Sequence, residues 1–276
     1  MKRHILLPTD FSDNAWNAIV YALKLFKDEY CTFYFLHSVT IKVSMLSNLS
    51  NRLIKTMEQD AMKELLALRE LAETSDANAN HDFQIILTTD ELYRAIKKAI
   101  LEWNIEMVVM GTKGASGAKR FFLGSNTVNI SKTLNDCSLL IIPEEYDFIE
   151  PKQIALPTDY NRFYDPKELR QVKVIADLFN SKLRIIHINE EDDLNNIQKY
   201  NLSSLQNYLD TYEYSIHWMP KYAKKAKEIH DFVDELEIDL LAMVRYKHSW
   251  VEKIMNEPVI QNIGFHPKIP FLVIPE

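Results

Sequence analysis

Short runs of apolar residues alternate with amphipathic stretches along the first half of the chain. The apolar runs predict strands near residues 3–8, 31–38, 82–88, 105–110 and 138–142, and the stretches between them predict helices near residues 13–28, 50–75, 90–102 and 125–134. The strands lack polar alternation, which is typical of a parallel sheet that helices cover on both faces. The pattern therefore predicts an α/β fold.

The second half of the chain repeats the first. Four segments recur in the same order: Ile5–Phe11 as Ile154–Tyr160, Phe33–His37 as Leu183–His187, Ile105–Met110 as Ile238–Met243, and Leu140–Glu144 as Leu272–Glu276. This duplication predicts two tandem copies of one domain, at 1–146 and 150–276, joined near residues 145–151. We expect the copies to form a pseudo-symmetric pair within the chain through edge strands 138–142 and 269–274, or to assemble further as a homodimer.

Composition and charge narrow the class of protein. The 276 residues are 47% hydrophobic and 26% charged, which is typical of a globular chain with one large or two ordinary domains. The net charge of −7 argues against nucleic acid or an anionic membrane as a partner. Cys31 and Cys137 each open an apolar run, which favours burial in a reducing compartment over a disulfide. With neither an export signal nor a membrane-spanning run in the pattern, we expect a cytoplasmic protein.

Four of the five glycines of the chain fall within one short window. They are Gly111, Gly114, Gly117 and Gly124, and Ser125 follows the last of them. The window lies between a predicted buried strand and a predicted helix, so unpaired backbone N–H groups and the positive end of a helix dipole surround one small volume. This arrangement predicts a phosphate-binding loop, with an ordinary flexible loop as the alternative.

These motifs together resemble the ATP-binding branch of the universal stress protein family. The resemblance rests on Gly111-x2-Gly114-x9-Gly124-Ser125, on the segment 8–12 (Pro-Thr-Asp-Phe-Ser) and on the closing segment 141–143 (Ile-Ile-Pro). It covers the whole chain as a tandem pair, but the nucleotide motif occurs only in the first copy. For each copy it implies a Rossmann-like fold, a five-stranded parallel sheet between helices, of the kind found in adenine nucleotide alpha hydrolases.

The resemblance also implies a ligand and its contacts. The ligand is ATP or a related adenine nucleotide, ADP or AMP, with or without Mg²⁺. Asp10 would bond the ribose or base, the backbone at Ser38 would read the adenine edge, and Pro8 and Thr9 would line the pocket. A second group would surround the ribose and phosphates: Gly111, Lys113, Gly114, Gly124, Ser125, Asn126 and Thr127.

Elementary chemistry favours several of these roles. Gly124 allows close approach of the chain to phosphate, Ser125 and Thr127 supply hydroxyl donors at a helix start, and Lys113 carries a neutralising charge. Asp10 has a second interpretation as a cap of the helix that follows, and the two roles are compatible. Lys119 and Arg120 fit either phosphate contact or a solvated loop surface.

Other nucleotide-binding motifs are missing from the sequence. It contains no Gly-x4-Gly-Lys-Ser/Thr, which excludes a P-loop NTPase, and no Gly-x-Gly-x-x-Gly after its first strand, which excludes a dinucleotide fold. The eight histidines include no pair at metal-ligand spacing, and no metal site is predicted. His37 and His187 are repeat equivalents, which favours a structural hydrogen bond over catalysis.

The second copy departs from the phosphate-binding pattern. Val244 takes the place of Gly111, and Asn256 and Glu257 take the places of Gly124 and Ser125. A carboxylate at a helix start repels phosphate, and larger side chains block close backbone approach. We expect the second site not to bind ATP, although Asp159 matches Asp10.

Three functions fit these patterns. The first is a cytoplasmic, ATP-binding regulatory protein of the stress response, with one nucleotide site in the first copy and a protein partner that the sequence does not identify. The second is a slow Mg²⁺-dependent ATPase or phosphotransferase, for which only Asp10 or Asp13 could position the attacking water. The third is a scaffold that works without nucleotide.

Two further segments have simple interpretations. The basic cluster, defined as Lys221, Lys224, Lys225 and Lys227, is interpreted as a solvated helix face, with a partner site as the alternative. Residues 40–52 fit either a lid beside the nucleotide or a plain connection.

Overall fold

The computed structural model of the protein describes residues 2–39, 51–112, 124–187, 194–219, 225–246 and 268–276. The chain divides into two compact units, Met1–Phe148 and Ile149–Glu276. Each unit is an α/β structure built on a parallel sheet, as the sequence pattern predicts.

Strands and helices alternate through the first unit. Its strands are β1 (Arg3–Pro8), β2 (Cys31–Ser38), β3 (His81–Thr88), β4 (Met107–Gly111) and β5 (Ser138–Ile142). Its helices among the described residues are α1 (Asp13–Leu25), α2 (Asn51–Asp76), α3 (Leu92–Trp103) and α4 (Ser125–Thr133). All nine elements were predicted, and their ends differ from the predicted ones by a few residues.

The five strands of the first unit pair in the order β3-β2-β1-β4-β5. All the pairs are parallel, and Leu6 of β1 lies between Tyr34 of β2 and Val108 of β4. Helix α1 packs on β4 and β5, α2 on β3 and β2, and α3 on β1 and β2. Every residue of β4 and β5 is buried, which explains why these two strands read as continuous apolar runs.

Local signals set the ends of α1. Ser12 is the N-cap, and its hydroxyl oxygen accepts a hydrogen bond of 3.3 Å from the N–H of Ala15. The helix ends at Leu25, three residues before the predicted end, because Phe26 leaves helical geometry. Phe26 continues the apolar spacing of the helix, so periodicity alone did not mark this end.

Strand β4 begins two residues later than predicted. Asn104 closes α3 in the left-handed region, with φ 48°, a conformation that asparagine tolerates well. The N–H of Ile105 then bonds the carbonyl of Ile100 over 3.2 Å, so this apolar residue still belongs to the helix end. Pairing with β1 starts at Met107, opposite Ile5.

The second unit has the same strand arrangement. Its strands are β6 (Gln153–Pro157), β7 (Lys182–His187), β8 (Tyr214–Trp218), β9 (Leu240–Arg245) and β10 (Phe271–Pro275), and its described helices are α5 (Arg170–Phe179), α6 (Asn196–Tyr208) and α7 (Lys225–Glu235). The strand order within the unit is β10-β9-β6-β7-β8, all parallel. The duplication predicted from the sequence is therefore a duplication of fold. Over the described residues, no helix is both long and apolar enough to cross a membrane.

Candidate functional site

The strand order of the first unit reverses between β1 and β4. Strand β1 pairs with β2 on one side and with β4 on the other, so the connections after β1 and after β4 lead away in opposite directions. In open parallel sheets, ligands bind beyond the carboxyl ends of the strands at such a switch point. Pro8 ends β1 and Gly111 ends β4, so both predicted residues border this position.

A tight turn follows β1. The N–H of Thr9 donates to the carbonyl of Leu36 over 2.8 Å, and the Thr9 hydroxyl accepts from the N–H of Phe11 over 3.0 Å. Phe11 has a φ of 63°, which turns the chain out of the sheet. Thr9 is buried, and its side chain therefore supports the turn while its position at the pocket stays a prediction.

Asp10 supports the cap of α1. Its Oδ1 accepts from the N–H of Ser12 over 3.2 Å and from the hydroxyl of Ser12 over 2.6 Å. The Ser12 hydroxyl in turn accepts from Ala15, so Asp10 orients the N-cap residue and is not itself the cap. Because Asp10 is only half-buried, this role leaves room for the predicted ligand contact.

The histidine that ends β2 has a structural role. Nδ1 of His37 lies 2.8 Å from the carbonyl oxygen of Thr9, and its ring lies 4.5 Å from the ring of Phe11. Since a carbonyl only accepts, Nδ1 carries the proton. His187 repeats the bond to Thr158 over 2.9 Å. The structural interpretation of both histidines is confirmed.

Ser38 follows His37 at the carboxyl end of β2. Its hydroxyl donates to the carbonyl of Asp90 over 2.6 Å, which fixes the segment after β3 beside β2. The predicted role of Ser38 uses its backbone, so the role of the hydroxyl is separate. Contact with adenine stays a prediction.

Gly111 is required by packing against α1. A Cβ atom at this position would overlap Oδ1 of Asn14 and would lie 2.8 Å from the backbone carbonyl oxygen of Asn14. Helix α1 and strand β4 therefore lie so close together at this position that only glycine fits there. The sequence indicated Gly111 as part of the loop, and this packing contact was not foreseen because it joins residues far apart in the chain.

The start of α4 lies directly beside the end of β4. The N–H of Gly124 donates to the carbonyl of Thr112 over 2.5 Å, and the N–H of Thr112 donates to Ile142 over 3.0 Å. The hydroxyl of Thr127, which is 3% exposed, donates to the carbonyl of Gly111 over 3.0 Å. These bonds close the base of the loop. They also engage the Thr127 hydroxyl in the fold, so its predicted bond to phosphate would compete with this one.

The amino end of α4 carries no side-chain cap. Gly124 is the N-cap and provides none, while Ser125 and Asn126 are exposed. The first N–H groups of a helix have no partner within the helix, and together with the helix dipole they favour an anion. The remaining predicted loop residues, Lys113, Gly114, Gly117, Lys119 and Arg120, lie outside the described residues.

The second unit repeats the turn after its first strand. The N–H of Thr158 donates to Ile186 over 2.8 Å, the Thr158 hydroxyl accepts from the N–H of Tyr160, and Tyr160 has a φ of 53°. Asp159 accepts from the N–H of Asn161 over 3.1 Å, as Asp10 does from Ser12. The two copies therefore share the backbone geometry at the switch point.

Side chains bridge the switch point of the second unit. The hydroxyl of Tyr246 donates to Oδ1 of Asp159 over 2.6 Å and thereby links the end of β9 to the end of β6. The guanidinium of Arg162 lies 5.0 Å from the ring centroid of Tyr246 and bonds Glu168 over 2.5 Å. Burial raises the pKa of Tyr246, and its bond to Asp159 acts in the same direction, so this hydroxyl stays protonated as a donor.

Val244 and Tyr246 show what replaced the glycine and lysine of the first copy. Val244 is 2% exposed at the position of Gly111, and Tyr246 stands two residues later, at the position of Lys113. Sequence reasoning identified Val244 but missed Tyr246 and Arg162. The signal for Tyr246 was present, since an aromatic residue directly follows β9 where the first copy has a cation. Asn256 and Glu257 lie outside the described residues.

Both cysteines of the chain are buried in the first unit. Burial raises the pKa of Cys31 and of Cys137 to about 12. Both are free and buried, as predicted. Within the described ranges, no three His, Cys, Asp or Glu residues are grouped to hold a metal ion.

Comparison with known proteins gives both the fold and the family. The structure resembles that of a universal stress protein from Archaeoglobus fulgidus DSM 4304, with a TM-score of 0.72 and 18% sequence identity. The match covers 99% of this chain and 98% of the Archaeoglobus chain. A functionally unknown protein from Pseudomonas aeruginosa PAO1 is similar over 99% of this chain and 92% of its own, with a TM-score of 0.58 and 12% identity.

At these identities the two structures show the fold alone. The comparison with curated protein sequences gave no match. The sequence pattern of the universal stress protein family, however, matches residues 1–143, which is more than half of the chain. The resemblance to the family is thus confirmed, and the chain belongs to the universal stress protein family.

Proposed function

We propose that the protein is a cytoplasmic, nucleotide-dependent regulator in the stress response, and that its first unit binds one adenine nucleotide. Membership of the universal stress protein family supports the stress-response role. The ligand is ATP, ADP or AMP, and ATP would bind with or without Mg²⁺. The second unit binds none.

The single observation that carries the proposal is the position of the predicted residues around the switch point. Asp10 follows β1, Gly111 ends β4, and α4 begins at Ser125 beside them because Gly124 bonds Thr112. A carboxylate that can accept from ribose hydroxyls and a helix end that favours phosphate thus border one opening. These two features match opposite parts of a nucleotide.

The second unit supports the limit to one site. There the Tyr246 hydroxyl donates a hydrogen bond to the carboxylate of Asp159, and the buried Val244 of β9 stands where β4 has Gly111. A nucleotide would have to displace a part-buried hydrogen bond and the packed Arg162 to reach the same position. The described side chains at the switch point of the second unit therefore oppose nucleotide binding, whereas those at the switch point of the first unit permit it.

Equilibrium dialysis of the full chain with ATP, with and without Mg²⁺, tests the proposal against Gly124→Val. Gly124 has φ −59° and ψ 152°, an extended conformation that valine adopts readily, so the change adds bulk without backbone strain. We expect one ATP bound per chain and loss of binding in the variant. The comparison variant is Tyr246→Phe in the second unit. It frees Asp159 but leaves the buried Val244 in the place of the glycine, so it should still bind one ATP per chain. Equal binding by Gly124→Val would contradict the proposal.

A further inference from the structure

Two adjoining cavities lie in the first unit, away from the switch point. They are formed by α2, β3 and α3, with volumes of about 680 Å³ and 400 Å³. Met62, Leu87, Thr88 and Lys98 line both, so the two cavities share a wall. Their sizes fall within the range of small-molecule sites. We call this space the α2–α3 cavity.

The inner end of the α2–α3 cavity is apolar and aromatic. Ile85, Ala95, Ala99 and Trp103 line it, and the exposed Glu102 stands at its rim. Trp103 is 41% exposed, while its ring lies 5.4 Å from the ring of the buried Tyr34, which holds it in place. A large apolar side chain fixed on one side and open on the other offers a flat surface to a ligand.

The outer end carries opposite charges in equal number. Lys55 and Lys98 line it together with Glu58 and Asp90. Among the described residues, none of these four side chains makes a hydrogen bond or an ion pair with another. Two ammonium groups and two carboxylates that form no ion pair with the described residues complement a ligand that itself carries both charges.

We propose that the α2–α3 cavity binds a small zwitterion with an apolar body, of the class of aromatic and large aliphatic amino acids. The carboxylate of the ligand pairs with Lys98, the one lysine common to both cavities, and its ammonium group pairs with Glu58 or Asp90. The side chain of the ligand extends along Leu87 toward Trp103. The cavity residues are not among those predicted to bind nucleotide, so the two proposals are tested separately. The two sites do adjoin where the Ser38 hydroxyl donates to the carbonyl of Asp90, which is why the test is made without nucleotide.

Isothermal titration calorimetry of the full chain without nucleotide tests this assignment with three related ligands. Phenylalanine carries both charges, 3-phenylpropionate lacks the ammonium group, and 2-phenylethylamine lacks the carboxylate. We expect phenylalanine to bind with a Kd of about 1 mM or tighter, since a dozen non-hydrogen atoms support an affinity of that order. Each single-charge ligand should bind about fivefold more weakly, because it loses one partly exposed ion pair.

Lysine variants on α3 provide the matched controls. Lys98→Glu should weaken phenylalanine binding at least about fivefold, because it removes an attraction and adds a repulsion. Lys97→Glu changes the same charge next door, where the side chain lies 3.6 Å from Asp136 and 5.6 Å from the Tyr93 ring, and it should leave binding unchanged. Absence of binding at about 10 mM phenylalanine, equal binding of all three ligands, or equal loss in both variants would overturn the proposal.

Discussion

Replacement of Gly111 by alanine tests the packing of the candidate site most simply. The added methyl group would overlap the side-chain oxygen of Asn14 and would lie 2.8 Å from its backbone carbonyl oxygen. The side chain can rotate away, but the carbonyl belongs to the first turn of α1 and moves only with the helix. Over-packing of this kind costs about 1–3 kcal/mol, and we expect the upper part of that range because one obstructing atom is backbone.

A loss of that size is a large fraction of the stability of an ordinary domain, which is about 5–15 kcal/mol. Hydrogen exchange of β4 amides, measured by mass spectrometry, reports on the first unit alone. Exchange through unfolding of this unit should become about 100-fold faster in Gly111→Ala, the equivalent of nearly 3 kcal/mol.

Two further variants separate this cause from others. Gly124→Ala, at a position with φ −59°, should change the exchange of β4 little. In an Asn14→Ala background, Gly111→Ala should cost less than in the unchanged chain, since the side-chain part of the obstruction is gone and only the backbone oxygen remains. An effect of Gly111→Ala below about 0.5 kcal/mol would refute the packing argument.

Three other expectations follow from contacts of the described residues. Thr127→Val removes the buried bond to Gly111 and should lower the free energy of unfolding by about 1–2 kcal/mol, while Thr133→Val on the exposed face of the same helix should change it by less than about 0.5 kcal/mol, both measured by urea unfolding. Burial raises the pKa of Tyr246 above its unfolded value near 10, so its contribution to stability is present below about pH 10 and declines as the pH rises further. The loss of stability above that pH should therefore be smaller in Tyr246→Phe. Identical pH profiles of the two proteins would contradict this. Burial likewise raises the pKa of Cys31 and Cys137 to about 12, so neither should react with a thiol reagent at pH 8 until the chain unfolds, and rapid labelling of the native protein would contradict their placement.

The sequence predicted the fold well because its signals are local. Buried parallel strands such as Met107–Gly111 consist of apolar residues alone, and the N-cap residue Ser12 marks the start of α1 in the sequence. The internal repeat then showed four of the segments, including strand patterns, a second time and in the same order. The ends of elements were less certain, since the stop of α1 at Leu25 depends on the backbone of the next residue and not on its polarity.

The candidate site was predicted residue by residue, but the contacts within it were not. Asp10 and Thr127 were expected at a ligand, and each also bonds a neighbouring part of the fold, Ser12 and Gly111 respectively. The bond between Tyr246 and Asp159 joins residues 87 positions apart. Such contacts depend on how elements pack, which no local pattern records.

Stoichiometry of ATP binding tests the central claim most directly. Titration of the full chain by calorimetry should give one site per chain, abolished by Gly124→Val and retained in Tyr246→Phe. Two sites of similar affinity, or no site at all, would contradict the account of one open and one bridged switch point.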